Sequence, residues 1–339
     1  IITQVILRLQ PAFRYVNLYY SHFKHVDQVI QEMEKICTSD KQPDYLEALI
    51  FKQTSIILVQ GYHTETQQQR QLLSFAKHFD PWYYKIIEKL ASSSDNVSSI
   101  CHCVPYYDYI FRYNYGAFWM ASYLLELIPF GQSKLFQFLF GSLLTTKNLF
   151  RAIHFDNKSI IDLAKYRIIQ DIYTPFNSTK KFLDYILNDI VLYPIWLCPI
   201  KCTKTPQYLA SHYSLEHEYM INIGIYGRPH KFPFNVSKIN KKFIELMIET
   251  NSRSMLYAQC WHSEDQFETL CRNSLEKYEQ IKVKYNSQNK FFDLFDKVTL
   301  NDREKEELEK TIVESLNSEK RLLMNITGQT VKLQIKAFC

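Results

Sequence analysis

Glycine is scarce in this chain, with seven residues in 339. Flavin and nucleotide pyrophosphates are usually held by glycine-rich turns whose backbone N–H groups approach the phosphates closely. Here only Gly224 and Gly227 are near neighbours, so no phosphate loop is present. No G-x-S-x-G elbow occurs, which leaves a hydrolase triad unsupported. The eight cysteines are unevenly spaced. Cys101-His102-Cys103, Cys198 with Cys202, and Cys260 with His262 lack the paired hooks of a tetrahedral zinc site, so no metal is expected. Reduced thiols in a cytosol-facing protein are expected instead. No apolar run reaches the length of a membrane span. The richest, Phe118–Leu144, is broken by Pro129, Gly131, Gln132, Ser133 and Lys134. Excess charge is also small, at +5. It suits a neighbouring anionic membrane or nucleotide phosphate, and it is no nucleic-acid footprint.

What the chain does have is apolar and aromatic bulk. Apolar residues make up 46%, with 24 Tyr and 23 Phe. That is enough for a sizeable core without disulfides, and enough rings to wall a large flat apolar ligand. Phe13–Tyr20 reads as a strand, 24–38 as a helix from the spacing of Val26, Val29, Ile30, Met33 and Ile36, and Tyr45–Lys52 and Ser55–Tyr62 as paired strands. A second series follows: strand 166–173, helix 178–189, strands 190–197 and 219–226, helix 236–250, strand 254–260. Two β-α-β-β units predict an α+β fold, an antiparallel sheet with helices on one face.

Between them lies an insertion, 63–164. In it Pro81 opens a helix and 91–99 is a Ser-rich linker. For Phe118–Leu144 three readings stand: core helices first, then a surface dipping into a bilayer face, or a channel wall. The opening Ile2–Leu9 reads as a strand starting in mid-sheet. Residues 299–339 read as a charged helix, capped by Asn301 with Glu304, and an alternating tail. The sequons at Asn177 and Asn235 are expected to be unused.

Leu192-Tyr193-Pro194-Ile195-Trp196-Leu197-Cys198-Pro199 is the most distinctive stretch. Its prolines have no N–H to give a ladder, so it should form an edge strand or a strand leaving the sheet to wall a pocket. Tyr-Pro-Ile-Trp-Leu-Cys-Pro resembles a signature of the FAD-linked delta-24 sterol reductase family. Collinear stretches agree: Ile128-Pro129-Phe130-Gly131, Phe138–Gly141, Ile169-Gln170-Asp171, Ile221–Gly227 and Met255–Cys260.

The resemblance implies the substrate cap of a two-domain flavoprotein of the vanillyl-alcohol-oxidase type. Residues 1–12 would be the last strand of an FAD-binding domain otherwise missing here. Residues 13–298 would be the cap, and 299–339 lie outside the resemblance. It implies FAD, held mainly by the missing domain, NADPH as electron donor, and a sterol whose C24=C25 bond is reduced. The location implied is the cytosolic face of the endoplasmic reticulum membrane. Protonation would develop a tertiary cation that takes hydride from the flavin. Aromatic faces stabilise such charge by about 0.5–2 kcal/mol each.

For catalysis the resemblance points to Arg112, Tyr113 and Tyr257. For substrate it points to Trp119, Tyr193, Trp196 and Tyr226, and for cofactor to Lys284 and Tyr285. Arg112 has a second reading, a bridge to Asp108. Tyr115, Gly116, Met120 and Asp293 depart from the family pattern. Two other functions remain in view: a non-catalytic lipid-binding or interaction module, and an FAD-linked oxidase acting on another substrate.

Overall fold

The computed structural model describes residues 4, 6–7, 9–67, 71–93, 97–126, 128–149, 167–204, 212–231, 233–257, 260–285 and 293–299. The expected helix and tail beyond 299, and most of the expected strand Ile2–Leu9 and of its family counterpart 1–12, lie outside the described residues or outside any described strand. The chain divides into two compact units, Ile1–Ala152 and Ile153–Cys339.

In the first unit β1 (Tyr15–Phe23), α1 (Val26–Cys37), β2 (Tyr45–Lys52) and β3 (Ser55–Thr64) follow the pattern read from the sequence. Short strands β4 (Gln71–Leu72) and β5 (Cys101–Pro105) complete the order β4-β5-β1-β3-β2. Pairing is antiparallel except between β4 and β5. Helix α1 buries Val29, Ile30, Met33, Ile36 and Cys37, one apolar stripe at 3.6-residue spacing, against the sheet. Helix α2 spans Tyr83–Ala91. It starts two residues later than expected, since Trp82 is its N-cap and Pro81 lies just outside.

Further along are α3 (Tyr106–Ile110), α4 (Met120–Leu125) and α5 (Lys134–Phe140). The core reading of Phe118–Leu144 holds only for its first part, where Trp119, Ala121 and Leu125 are buried. It fails for α5, which buries no residue. Gln137, its one polar side chain beyond the first residue, reaches the 78–80 backbone and leaves the apolar ones outside.

The second unit repeats the arrangement. It contains β6 (Ile168–Thr174), α6 (Phe176–Asp184), β7 (Ile195–Lys201), β8 (Tyr219–Gly227), α7 (Val236–Glu249), β9 (Arg253–Ser254), a long α8 (Glu264–Tyr285) and α9 (Leu294–Val298). Strand order is β7-β8-β6-β9, antiparallel throughout. As in the first unit, the third strand of the β-α-β-β set sits between the other two.

Two strand boundaries differ from expectation. The strand expected at 190–197 begins at Ile195. A wide helical turn carries α6 on to Ile190, and Val191 then adopts a left-handed φ of 51°. Pro199 is accommodated inside β7, opposite Ile221. The strand expected at 254–260 is only Arg253–Ser254, because the chain turns off at Met255, whose N–H binds the Asp171 carbonyl at 3.0 Å.

Side chains alternate along strands, so register separates two faces of this sheet. Ile195, Leu197, Ile172, Ile221, Ile223 and Ile225 are fully buried on one. Gln170 shares that face and donates to Asn240 of α7 at 3.1 Å, which identifies it as the helix-covered side. The other face carries Trp196, Cys198, Asp171, Tyr173, Asn222, Gly224, Tyr226 and Arg253.

A carboxylate among tyrosines on the second sheet

Asp171 sits at the middle of β6 on the face away from the helices and is 5% exposed. Three side chains converge on it. Asn222 Nδ2 donates to Oδ1 at 2.8 Å, Tyr226 Oη donates to Oδ1 at 2.6 Å, and Tyr257 Oη donates to Oδ2 at 2.5 Å. Asn222, Gly224 and Tyr226 are two residues apart on β8, so all face Asp171; Tyr257 comes from the loop after β9. The Tyr226 ring folds over Gly224. A Cβ there would stand 2.9 Å from Tyr226 Oη and 3.1 Å from Trp196 Cε3. Any larger residue would push Tyr226 off its carboxylate.

Burial, and next the Asp171 charge, push the phenols of Tyr226 and Tyr257 far above the ordinary range. Both therefore remain neutral O–H donors at any physiological pH. Tyr226 is buried, whereas the Tyr257 ring is half-exposed with its hydroxyl turned in. The arrangement thus holds the Tyr257 hydroxyl at the edge of an aromatic cluster with its one proton directed at Asp171. Trp196 stands beside Tyr226, and Tyr193 lies two residues ahead of β7, half-buried.

The other expected site residues lie in the first unit. Glu47, on β2 and 2% exposed, accepts from Arg112 Nη2 at 3.2 Å, Tyr83 Oη at 2.7 Å and Tyr113 Oη at 3.3 Å. The Arg112 guanidinium also lies over the rings of Tyr109, Tyr113 and Tyr83, at 4.2, 4.9 and 5.4 Å. Its described carboxylate partner is Glu47, not the expected Asp108. Trp119 is 1% exposed and edge-on to Tyr84 and Phe118. Lys284 and Tyr285 close the last turn of α8, with the ammonium over the exposed ring.

The described residues do not fit the pyrophosphate of the flavin that the resemblance implies. Gly224 is pressed by Tyr226 and Trp196, Gly61 by Val16 and Tyr45, and Gly141 by the His78 carbonyl. At these three positions the space a Cβ would take is filled by the protein's own atoms, so they offer no cradle for phosphate oxygens.

Beside β9 a small hollow is lined by Arg253, Ser254, Leu256, His262, Phe267, Leu270 and Cys271. His262 is 4% exposed, and its buried Nδ1 has no hydrogen-bond partner among the described residues. Burial lowers its pKa from 6.5 to about 4. Unfolded chains then bind a proton below pH 6.5 that the folded protein refuses. The stabilisation is present above that pH and is lost as pH falls toward 4. His262→Phe should flatten this acid limb in urea titrations at pH 4–7, whereas an unchanged limb would mean that His262 protonates freely in place.

Asp171, Asn222 and Glu47 were not singled out in the sequence. The signal was there for two of them: Asn222, Gly224 and Tyr226 alternate with Ile221, Ile223 and Ile225 in β8, and Asp171 ends the Ile-Gln-Asp stretch.

No protein-family profile matches the chain. Curated proteins do. Delta(24)-sterol reductase from Macaca fascicularis is 26% identical over 300 residues, covering 86% of this chain and 55% of that protein. The Caenorhabditis elegans delta(24)-sterol reductase homolog is 21% identical over 295 residues, and the Arabidopsis thaliana enzyme of the same name 23% over 317. The chain spans about half the length of the curated relatives it matches. Along 86% of its residues, then, the chain is similar to proteins named delta(24)-sterol reductase, at 21–26% identity.

Proposed function

We propose that the protein is an FAD-dependent oxidoreductase that reduces the C24=C25 bond of a sterol side chain with NADPH. In this reading the present chain is the part that covers the substrate, and the flavin is held mainly by sequence outside it. The observation that carries the proposal is the alignment of 86% of the chain with proteins named delta(24)-sterol reductase. The aromatic side chains on β7, β8 and the loop after β9 support it. Trp196, Tyr193 and the half-exposed Tyr257 ring offer flat apolar area to a sterol, with Tyr226 packed behind them. Tyr257 is the proposed proton donor: its one O–H, held by Asp171 at rest, turns from that carboxylate to the substrate, and Asp171 with Asn222 sets where it stands. Lys284 and Tyr285 are the residues of this chain assigned to the cofactor. Arg112, Tyr113 and Trp119 act from the framework of the first unit. The setting is the cytosolic face of the endoplasmic reticulum membrane.

A second reading, a non-catalytic lipid-binding or interaction module, uses the same aromatic residues without chemistry. Purified full-length protein with a 24-unsaturated sterol and NADPH separates the two. Reduction adds two hydrogens to the sterol, read by mass spectrometry, and Tyr257→Phe should cut turnover by about 10²-fold or more. Flavin-replete protein that binds the sterol saturably and returns it unchanged would leave only the module.

A further inference from the structure

We infer that residues 128–143, together with Phe79, form a surface that docks on an anionic lipid bilayer. Helix α5 is apolar nearly all round and buries nothing. Phe130 is 86% exposed, Leu135 68% and Leu143 62%, and Ile128, Phe138, Leu139, Phe140 and Phe79 are exposed beside them. A helix of this composition is ordinarily found inside a core or a membrane. So many large apolar side chains together exceed the scattered exposure normal for a soluble surface.

The segment is held in place rather than collapsed. His78 Nε2 lies 3.0 Å from the Phe138 carbonyl, and Gln137 Nε2 donates to the carbonyls of His78 and Asp80 at 3.3 and 2.8 Å. The Phe79 and Phe138 rings pack at 5.8 Å. Ser133 caps the helix through Phe136 N–H. The body therefore supports the apolar side chains on one side and leaves the other open.

Charge at the rim selects the occupant. Lys77 stands over the Phe79 ring at 5.5 Å, Lys134 opens α5, and exposed Lys147 follows the segment. Of the nearby carboxylates, Asp80 is engaged by Ser74 Oγ and the Lys77 N–H, and Glu126 is approached by the Gln132 amide. Three lysines against two carboxylates leave the rim net positive, and apolar side chains beside such a rim match acyl chains beneath acidic headgroups. Seven helical residues cover only about 10 Å, so the segment lies in the interface and does not cross it.

The test is position-specific, so it works whatever else anchors the full-length protein. Phe130→Trp is bound to vesicles of phosphatidylcholine with about 30 mol % phosphatidylserine, with lipids brominated at shallow acyl positions. The added tryptophan emission, after subtraction of wild type, should be strongly quenched. Vesicle-bound protein with unquenched emission, or no vesicle binding, would overturn the proposal. Leu135→Ser with Leu139→Ser changes exposed positions and should fold normally, judged by its melting curve. It should weaken binding by about tenfold or more. Unchanged binding, or a shift from dimer to monomer on sizing that marks the surface as a contact between copies, would also sink it.

Discussion

Arg112→Ala is expected to destabilise the protein by about 3–5 kcal/mol, the cost of leaving a buried carboxylate without its counter-charge. Glu47 is 2% exposed, and the Arg112 side chain is 14% exposed, so solvent cannot replace the lost partner. Tyr83 and Tyr113 would still donate to Glu47, but neutral hydroxyls do not neutralise it. Three tyrosine rings would also lose the cation they surround. In urea the midpoint should fall with little change in slope. The paired replacement Glu47→Leu with Arg112→Met should be much milder, because no charge is left behind. Tyr83→Phe removes one hydrogen bond to a charged group, about 1.5–3 kcal/mol. Should Arg112→Ala keep its midpoint while full-length protein loses turnover, Arg112 belongs to the reacting centre and the framework reading fails.

That outcome separates what the sequence could tell from what it could not. Apolar patterning located α1, β2, β3, β8 and α7 within about two residues: helical spacing in α1 and α7, and continuous apolar runs in the buried strands. Arg112 was visible as a charged residue among rings, yet its partner is 65 positions away on another strand. Long-range pairing of that kind leaves no local spacing to read. The same holds for Asp171 and Tyr257, separated by 86 positions. Alternation could have placed Asn222 and Tyr226 on one face, but it could not say what they faced. The beginning of β7 was misjudged for a local reason: Ile190–Leu192 has strand composition, while Val191 takes a left-handed conformation that no propensity favours. Composition puts the apolar residues of α5 in a core ahead of a bilayer-facing surface or a channel wall, because it reports hydrophobicity and not what covers it.

Asp171→Ala should show the opposite division of effects from Arg112→Ala if Asp171 serves the substrate face. Removing the carboxylate strands Asn222 Nδ2 and Tyr226 Oη, both on buried residues, without their acceptor. Unsatisfied buried donors cost about 1–3 kcal/mol each, so a loss of about 2–6 kcal/mol is expected. Tyr257→Phe, at a half-exposed ring, should cost about 1 kcal/mol. The two changes should nevertheless be alike in turnover, since Asp171 acts by holding the Tyr257 hydroxyl. In the double variant the turnover losses should therefore fail to add.

Alkaline pH gives an independent check with a definite sign. Tyr226 and Tyr257 have raised folded-state pKa values, so their stabilisation is complete below about pH 10 and declines above it, as unfolded phenols ionise and folded ones do not. Asp171→Ala removes the carboxylate's share of that resistance, so absorbance of ionised tyrosine should appear at lower pH than in wild type. Coincident titration curves would mean that burial alone holds the two protons. Asp171 would then be a structural acceptor with no claim on the chemistry of Tyr257.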